Sequence, residues 1–341
     1  MKKFIIKTLF YLIPFFGVYG YYCFAVKPNV SGDLGILGQI PFGKDYNENL
    51  KRNYLTENWV VDTFAVSGKK PAAKKRVKIF TIGDSFSQQG IFGYQNYLAH
   101  ILGDTVINVK TEGINRHIQT AVSLLNSGLL DSTICRMVII QQVDRDAVMV
   151  LNQIDFEKPY EVPEKSKQAK DANKNGDLYN LCSWIRLQFN YENPIVKHDL
   201  KQEYFTHSSF SHELFHYYKD LWFEKTMPAD TEKAGENLIR LNEKFAEKGI
   251  QMVFLLASDK YDVYRPFMTD DSLPIDTTTS FLSNIPGVFV FDTKGLLQKM
   301  VQSGEKDVYM VNDSHWSYKG SEAVAGELAC PAHRAGRAVL H

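Results

Sequence analysis

From Thr8 to Val26 the chain is apolar and uncharged (TLFYLIPFFGVYGYYCFAV), and Lys2, Lys3 and Lys7 precede this run. As a helix it rises about 28 Å, close to the roughly 30 Å of a hydrocarbon core. The lysines orient the N-terminus to the cytoplasm and everything after Val26 to the outside. Tyr19, Tyr21 and Tyr22 suit the outer interfacial belt. Residues 1–26 therefore read as an N-terminal membrane anchor. A cleaved signal sequence is the alternative, but the run is longer than an ordinary signal core and no small-x-small site follows it.

Residues 27–75 read as a mixed, turn-rich lead-in with a short helix over Tyr46–Val61. They run into a basic stretch, Lys69–Arg76, expected to be solvated surface. From there the spacing becomes regular. Val77–Ile82, Thr105–Val109, Met137–Ile140, Gln251–Leu256, Val288–Phe291 and Asp307–Met310 have the short, β-branched, bounded form of strands. Phe92–Leu102, His117–Leu130, Glu232–Lys248 and Tyr318–Leu328 have helical spacing. Alternating strands and helices predict an α/β domain over 76–329, with a mostly parallel sheet and right-handed crossovers. The rhythm breaks at about 146–230, where a Lys-rich polar patch suggests an inserted segment containing helices. Residues 330–341 lose the apolar period and read as a disordered tail without a role.

Composition narrows the function. Apolar residues make up 44% and charged residues 23%, which is globular rather than disordered. Lys+Arg and Asp+Glu are both 39, so the formal net charge is +0, and nucleic acid is not an expected partner. Four cysteines are too few for a disulfide scaffold, although Cys135, Cys182 and Cys330 leave room for one bridge.

Two short segments carry candidate chemistry. Gly83-Asp84-Ser85-Phe86-Ser87 stands where the first regular strand ends, the edge at which parallel sheets gather their active sites. Asn312-Asp313-Ser314-His315-Trp316-Ser317 precedes the closing helix. An acid two residues before a histidine on a loop can bond one imidazole nitrogen while the other faces a serine. Either segment alone also reads as a helix cap. Together they supply nucleophile, orienting acid and base in the order Ser, Asp, His.

With these motifs the chain resembles the SGNH (GDSL-like) hydrolase superfamily. More narrowly it is similar to the branch holding the alginate and other polysaccharide O-acetyltransferases. GDSFS at 83–87 and DSHWS at 313–317, followed by Gly320, carry the resemblance, with weaker support from QQVDRD at 141–146 and SDKYDVY at 258–264. The Asp-x-His block follows the serine block here, as in ordinary SGNH hydrolases. The resemblance implies a three-layer, flavodoxin-like α/β fold. It also implies Ser85 as nucleophile, His315 as base and Asp313 as orienter, with an oxyanion hole from the N–H groups of Ser85 and Gly113 and the Gln142 amide. Asp84, Arg145, Trp316, Lys260 and Tyr264 are candidate substrate contacts. For Arg145 an ion pair with Asp144 or Asp146 is the competing role.

His212-Glu213-Leu214-Phe215-His216 matches the HExxH zinc pattern, which requires a helix. It lies in the insertion with no third ligand evident, and a serine triad needs neither metal nor cofactor, so none is expected. The resulting expectation is an enzyme of the bacterial inner membrane with its catalytic domain in the periplasm. It moves an acyl group, expected to be acetyl, to or from a cell-surface polysaccharide. The family resemblance implies a membrane-bound O-acyltransferase as donor. A secreted esterase or lipase and a non-catalytic glycan-binding module are the alternatives.

Overall fold

The computed structural model describes residues 1–43, 46, 50–51, 55, 57–64, 79–111, 117–130, 135–159, 176–189, 194–225 and 227–337. The elements in chain order begin with α1 (Lys2–Tyr21), α2 (Asp33–Gly38), β1 (Val60–Phe64), β2 (Ile79–Gly83), α3 (Tyr94–Leu102), β3 (Val106–Lys110) and α4 (His117–Asn126). Then follow β4 (Met137–Val143), α5 (Asp144–Asn152), α6 (Asp177–Gln188), β5 (Ile195–Asp199), β6 (Glu213–Tyr217), α7 (Pro228–Glu247) and β7 (Gln251–Ala257). The chain closes with α8 (Lys260–Tyr264), α9 (Thr278–Ser283), β8 (Val290–Asp292), α10 (Lys294–Gln302) and α11 (Tyr318–Arg337).

The main sheet has the order β1-β3-β2-β4-β7-β8, and every pairing in it is parallel. Its central strands are apolar almost throughout because both faces are covered. Ile79, Met137, Ile139, Val253 and Leu255 point to one core, shared with Tyr97 and Leu98 of α3, Leu297 of α10 and Val324 and Leu328 of α11. Phe80, Ile82, Val138, Ile140, Phe254 and Leu256 point to the other, with α4, α5 and α7. Truncating one such side chain, as in Leu255→Ala, would cost about 2–5 kcal/mol. The strand order reverses at β2, which makes a crevice beyond its carboxyl end.

Helix α1 continues through a π-helical turn at Tyr22–Val26. The continuous helix Lys2–Asn29 is long and apolar enough to cross a membrane. Its far end docks on α6: Tyr22 and Val26 are buried against Leu181, and Lys27 pairs with Asp177 at 2.6 Å.

Several expectations are corrected. The lead-in contributes an edge strand, since Val60–Phe64 pairs with β3; of the helix expected over 46–61, residues 46, 50 and 51 are helical, 57–61 are not, and 47–49, 52–54 and 56 lie outside the described residues. Asp144–Asn152 is a helix of the domain core, so the excursion starts after Asn152 rather than at Asp146. The described part of that excursion holds α6 and the β5–β6 hairpin. Asp307–Met310 is not a strand: Asp307 has a φ of 58°, which breaks extension, and only a bridge from Tyr309 to Trp316 remains. The HELFH segment is extended, with Glu213–Tyr217 forming β6, so His212 and His216 lack the helical pitch that zinc binding requires. The closing helix runs on to Arg337, through residues expected to be a tail; alanines at 325, 329, 332 and 335 favour it. All four cysteines are free, so the possible bridge is absent.

Candidate active site

Ser85 opens a 3-10 turn, Ser85–Ser87, immediately after β2. The sharp exit depends on Gly83: a Cβ there would lie 2.3 Å from Ser87 Oγ and 2.4 Å from Gln141 Oε1. Asp84 caps the turn. Its Oδ1 accepts the Phe86 N–H at 2.9 Å and its Oδ2 accepts the Val143 N–H at 2.7 Å. Oδ1 thus holds the turn and Oδ2 ties it to the end of β4, a structural duty for Asp84. Ser85 itself is exposed, and its N–H, at the first position of the turn, has no partner within that turn.

The second motif lies on the loop between α10 and α11. The Tyr309–Trp316 bridge and the Ser317 N–H to Val308 carbonyl bond, at 3.0 Å, pinch its ends. The fully buried Lys260 ammonium donates to the carbonyls of Met310 at 2.7 Å and Val311 at 2.8 Å, with Asp313 at 3.4 Å. Burial pushes its pKa down to about 7, although Asp33 and Asp313 act the other way.

These two loops meet. His315 Nε2 lies 2.7 Å from Ser85 Oγ, and Nδ1 lies 2.5 Å from Asp313 Oδ1, which also accepts the His315 backbone N–H at 3.1 Å. The ring rests against Phe86, with centroids 4.8 Å apart. Burial alone would raise the Asp313 pKa, but the hydrogen bonds and charge of His315 win and hold it at about 2. Burial alone would lower His315, but the Asp313 bond and charge, with Asp33 and Asp84 beyond, raise it. This is the geometry in which a serine proton can pass to an imidazole whose tautomer a carboxylate fixes.

The other candidates occupy different places. Gly113 lies outside the described residues. Gln142 is fully buried; its Oε1 meets His117 Nε2 at 2.7 Å and one of its two amide N–H groups donates to the Val143 carbonyl at 2.9 Å. Arg145 is mostly buried and pairs with Asp220 at 3.0 Å, with Asp146 further off at 3.9 Å. Trp316 is wholly buried, donates to Tyr309 Oη at 2.8 Å and packs on Phe86, so it is core rather than a substrate contact. Lys260 and Tyr264 are buried under the histidine loop and do not line an open cleft.

One residue of the site has no signal in the sequence. Asp33, at the start of α2, accepts the Ser314 N–H at 2.8 Å and also the Ser314 hydroxyl, and stands 3.8 Å from His315 Nδ1.

Residues 214–338 match the family described as SGNH hydrolase-like domain, acetyltransferase AlgX. This stretch of the domain is similar to the alginate acetyltransferase branch of the SGNH hydrolase-like proteins. The AlgX-like stretch spans β6 to α11 and includes Asp313 and His315, whereas Ser85 lies upstream of it. No curated protein matches the chain.

Proposed function

We propose that the protein is an extracytoplasmic, membrane-anchored acyltransferase that carries an acetyl group on Ser85 and passes it to a cell-surface polysaccharide. The observation that carries the reading is the continuous chain from Ser85 Oγ through His315 to Asp313, at 2.7 and 2.5 Å. His315 takes the Ser85 proton as the hydroxyl attacks the acyl carbonyl. The Ser85 N–H and, from outside the described residues, Gly113 receive the oxyanion. The imidazolium then protonates the leaving group. A sugar hydroxyl, deprotonated by the same imidazole, attacks the acyl-serine and regenerates the enzyme.

Support for a membrane-side acyl donor comes from chain reach. The apolar helix ends at Asn29, Ser31 is hydrogen-bonded to Asn312, and Asn312 is three residues from His315. Chain dimensions keep His315 within about 25 Å of the end of that helix. A membrane-bound O-acyltransferase would be close enough to hand over an acetyl group. Fractionation tests the anchor: the full chain should stay with membranes, and recovery of a soluble chain beginning after residue 20 would contradict it.

The experiment for the reaction incubates the detergent-solubilised full chain with p-nitrophenyl acetate, with and without O-deacetylated polysaccharide, and maps acetyl groups by mass spectrometry. Acetyl-Ser85 that is discharged faster by the sugar supports transfer. Discharge that ignores the sugar makes the protein an esterase, and no acylation at all favours the glycan-binding module.

A further inference from the structure

The segment that leaves the membrane helix is built into the site. Gly32, with a φ of 77°, packs so closely on the histidine loop that a Cβ would lie 2.1 Å from the Asn312 carbonyl oxygen. That carbonyl accepts the N–H groups of Leu34 and Gly35 at 3.2 Å each, and the Asn312 amide donates to the Ser31 carbonyl at 3.0 Å and Oγ at 2.9 Å. This clamp delivers Asp33. Its Oδ1 accepts the N–H of Leu34 at 2.6 Å and of Ser314 at 2.8 Å; its Oδ2 accepts the Ser314 hydroxyl and, at 2.8 Å, the Tyr217 hydroxyl. Four donors converge on two oxygens, and the two backbone N–H groups cannot reverse their roles. An acceptor-only carboxylate, the ionised form, satisfies them all, against burial and the Asp313 charge, which raise the Asp33 pKa.

We propose that Asp33 is a positioning residue for His315, a second carboxylate behind the imidazole that stabilises the imidazolium formed when Ser85 is acylated. The proposal rests on the acyltransferase reading above. Asp313 bonds Nδ1 directly; Asp33, at 3.8 Å from the same nitrogen, adds negative charge and fixes Ser314 between the two triad members of this loop. The charged groups facing His315 are Asp313, Asp33 and Asp84. Those facing Asp33 are Asp313 and His315, with Tyr217, Lys260 and Lys219 also within its field. A residue just beyond the membrane helix thereby completes a site whose other members lie as far as 282 positions away.

Asp33→Asn tests this cleanly. The new amide can donate to the Ser314 and Tyr217 hydroxyls, both of which can accept, so shape and bonding survive while the charge is lost. The assay is single-turnover acetylation of Ser85 by p-nitrophenyl acetate in the detergent-solubilised full chain, followed across pH, with rates normalised to the folded fraction by circular dichroism. The expected result is an about tenfold slower acylation, with the acid limb of the pH–rate profile moved down by about one unit. Asp33→Glu keeps the charge, and its acid limb should stay at the wild-type midpoint even where its rate falls. An Asp33→Asn chain with wild-type rate and midpoint overturns the proposal alone. If Asp33→Asn does not fold, a displaced acid limb in Asp33→Glu overturns it. A wild-type chain that takes no acetyl on Ser85 overturns the acyltransferase reading and this proposal together.

Discussion

Lys260 donates its ammonium to the Met310 carbonyl at 2.7 Å, from a position buried to 1% exposure. A full ammonium is an expensive group to place there. Its Nζ holds the start of the loop that brings Asp313 and His315 to Ser85, so the cost is spent on the placement of the reacting groups.

Lys260→Met keeps the length and apolar stem but orphans the Met310 and Val311 carbonyls. Removing the buried charge offsets part of that loss, and a net destabilisation of about 1–3 kcal/mol is expected. Acylation of Ser85 should fall more than the folded fraction does. Thermal melts beside single-turnover acetylation check this; equal losses in both would reduce Lys260 to a packing role.

Asp313→Asn separates an orienting acid from a helix cap. Asn caps nearly as well as Asp, so a cap would lose little. An orienter loses the correct imidazole tautomer. For serine proteases, the worked case of this triad, that costs about four orders of magnitude in turnover, and here a loss of about ten- to a thousandfold is expected. The readout is the acylation rate constant at saturating p-nitrophenyl acetate.

The same pair sets two pH dependences of opposite sign. Asp313 is held at about 2, below its ordinary 3.8, so its stabilisation is present above pH 3.8 and is lost as pH falls through about 2. The stability gap between wild type and Asp313→Asn should therefore be about 2 kcal/mol near pH 5 and close from pH 4 to pH 2. His315 is raised above 6.5, so the stability of its charged form is present below pH 6.5 and fades as pH rises through its folded value. Because only neutral His315 can take the serine proton, the acid limb of acylation should have its midpoint above 6.5. Urea melts across pH and a pH–rate profile check the two halves.

Gly83→Ala pushes a methyl against Ser87 Oγ and Gln141 Oε1 at the exit of β2. The expected cost is about 1–3 kcal/mol, with acylation reduced at least tenfold because Ser85 is two residues further on. Melting temperature and acylation rate should fall together.

The sheet and the meeting of GDSFS with DSHWS were legible because each depends on local signals: continuous apolar runs buried on both faces, and turn residues at strand ends. What escaped depends on packing between distant segments. Asp33 is an isolated acid in a turn-rich stretch, and nothing near it announces a histidine 282 positions later. Val60–Phe64 is short and joins the sheet through β3. Trp316 looks like a substrate contact in its motif, but Tyr309 satisfies its N–H and Phe86 packs on its ring. Arg145 pairs more closely with Asp220, across the excursion, at 3.0 Å than with Asp146, the neighbouring acid the sequence offered, at 3.9 Å.

The most direct test of the account is the site of acetylation. The full chain and its Ser85→Ala variant, both in detergent, are exposed to p-nitrophenyl acetate, quenched in acid, digested and sequenced by mass spectrometry. The account predicts acetyl on Ser85 in the wild type, discharged on addition of polysaccharide, with no acyl-enzyme in Ser85→Ala. Because Ser85 is exposed, the variant should melt like the wild type. Acetylation of another residue at the same rate in both chains, or undiminished ester turnover by Ser85→Ala, would contradict it.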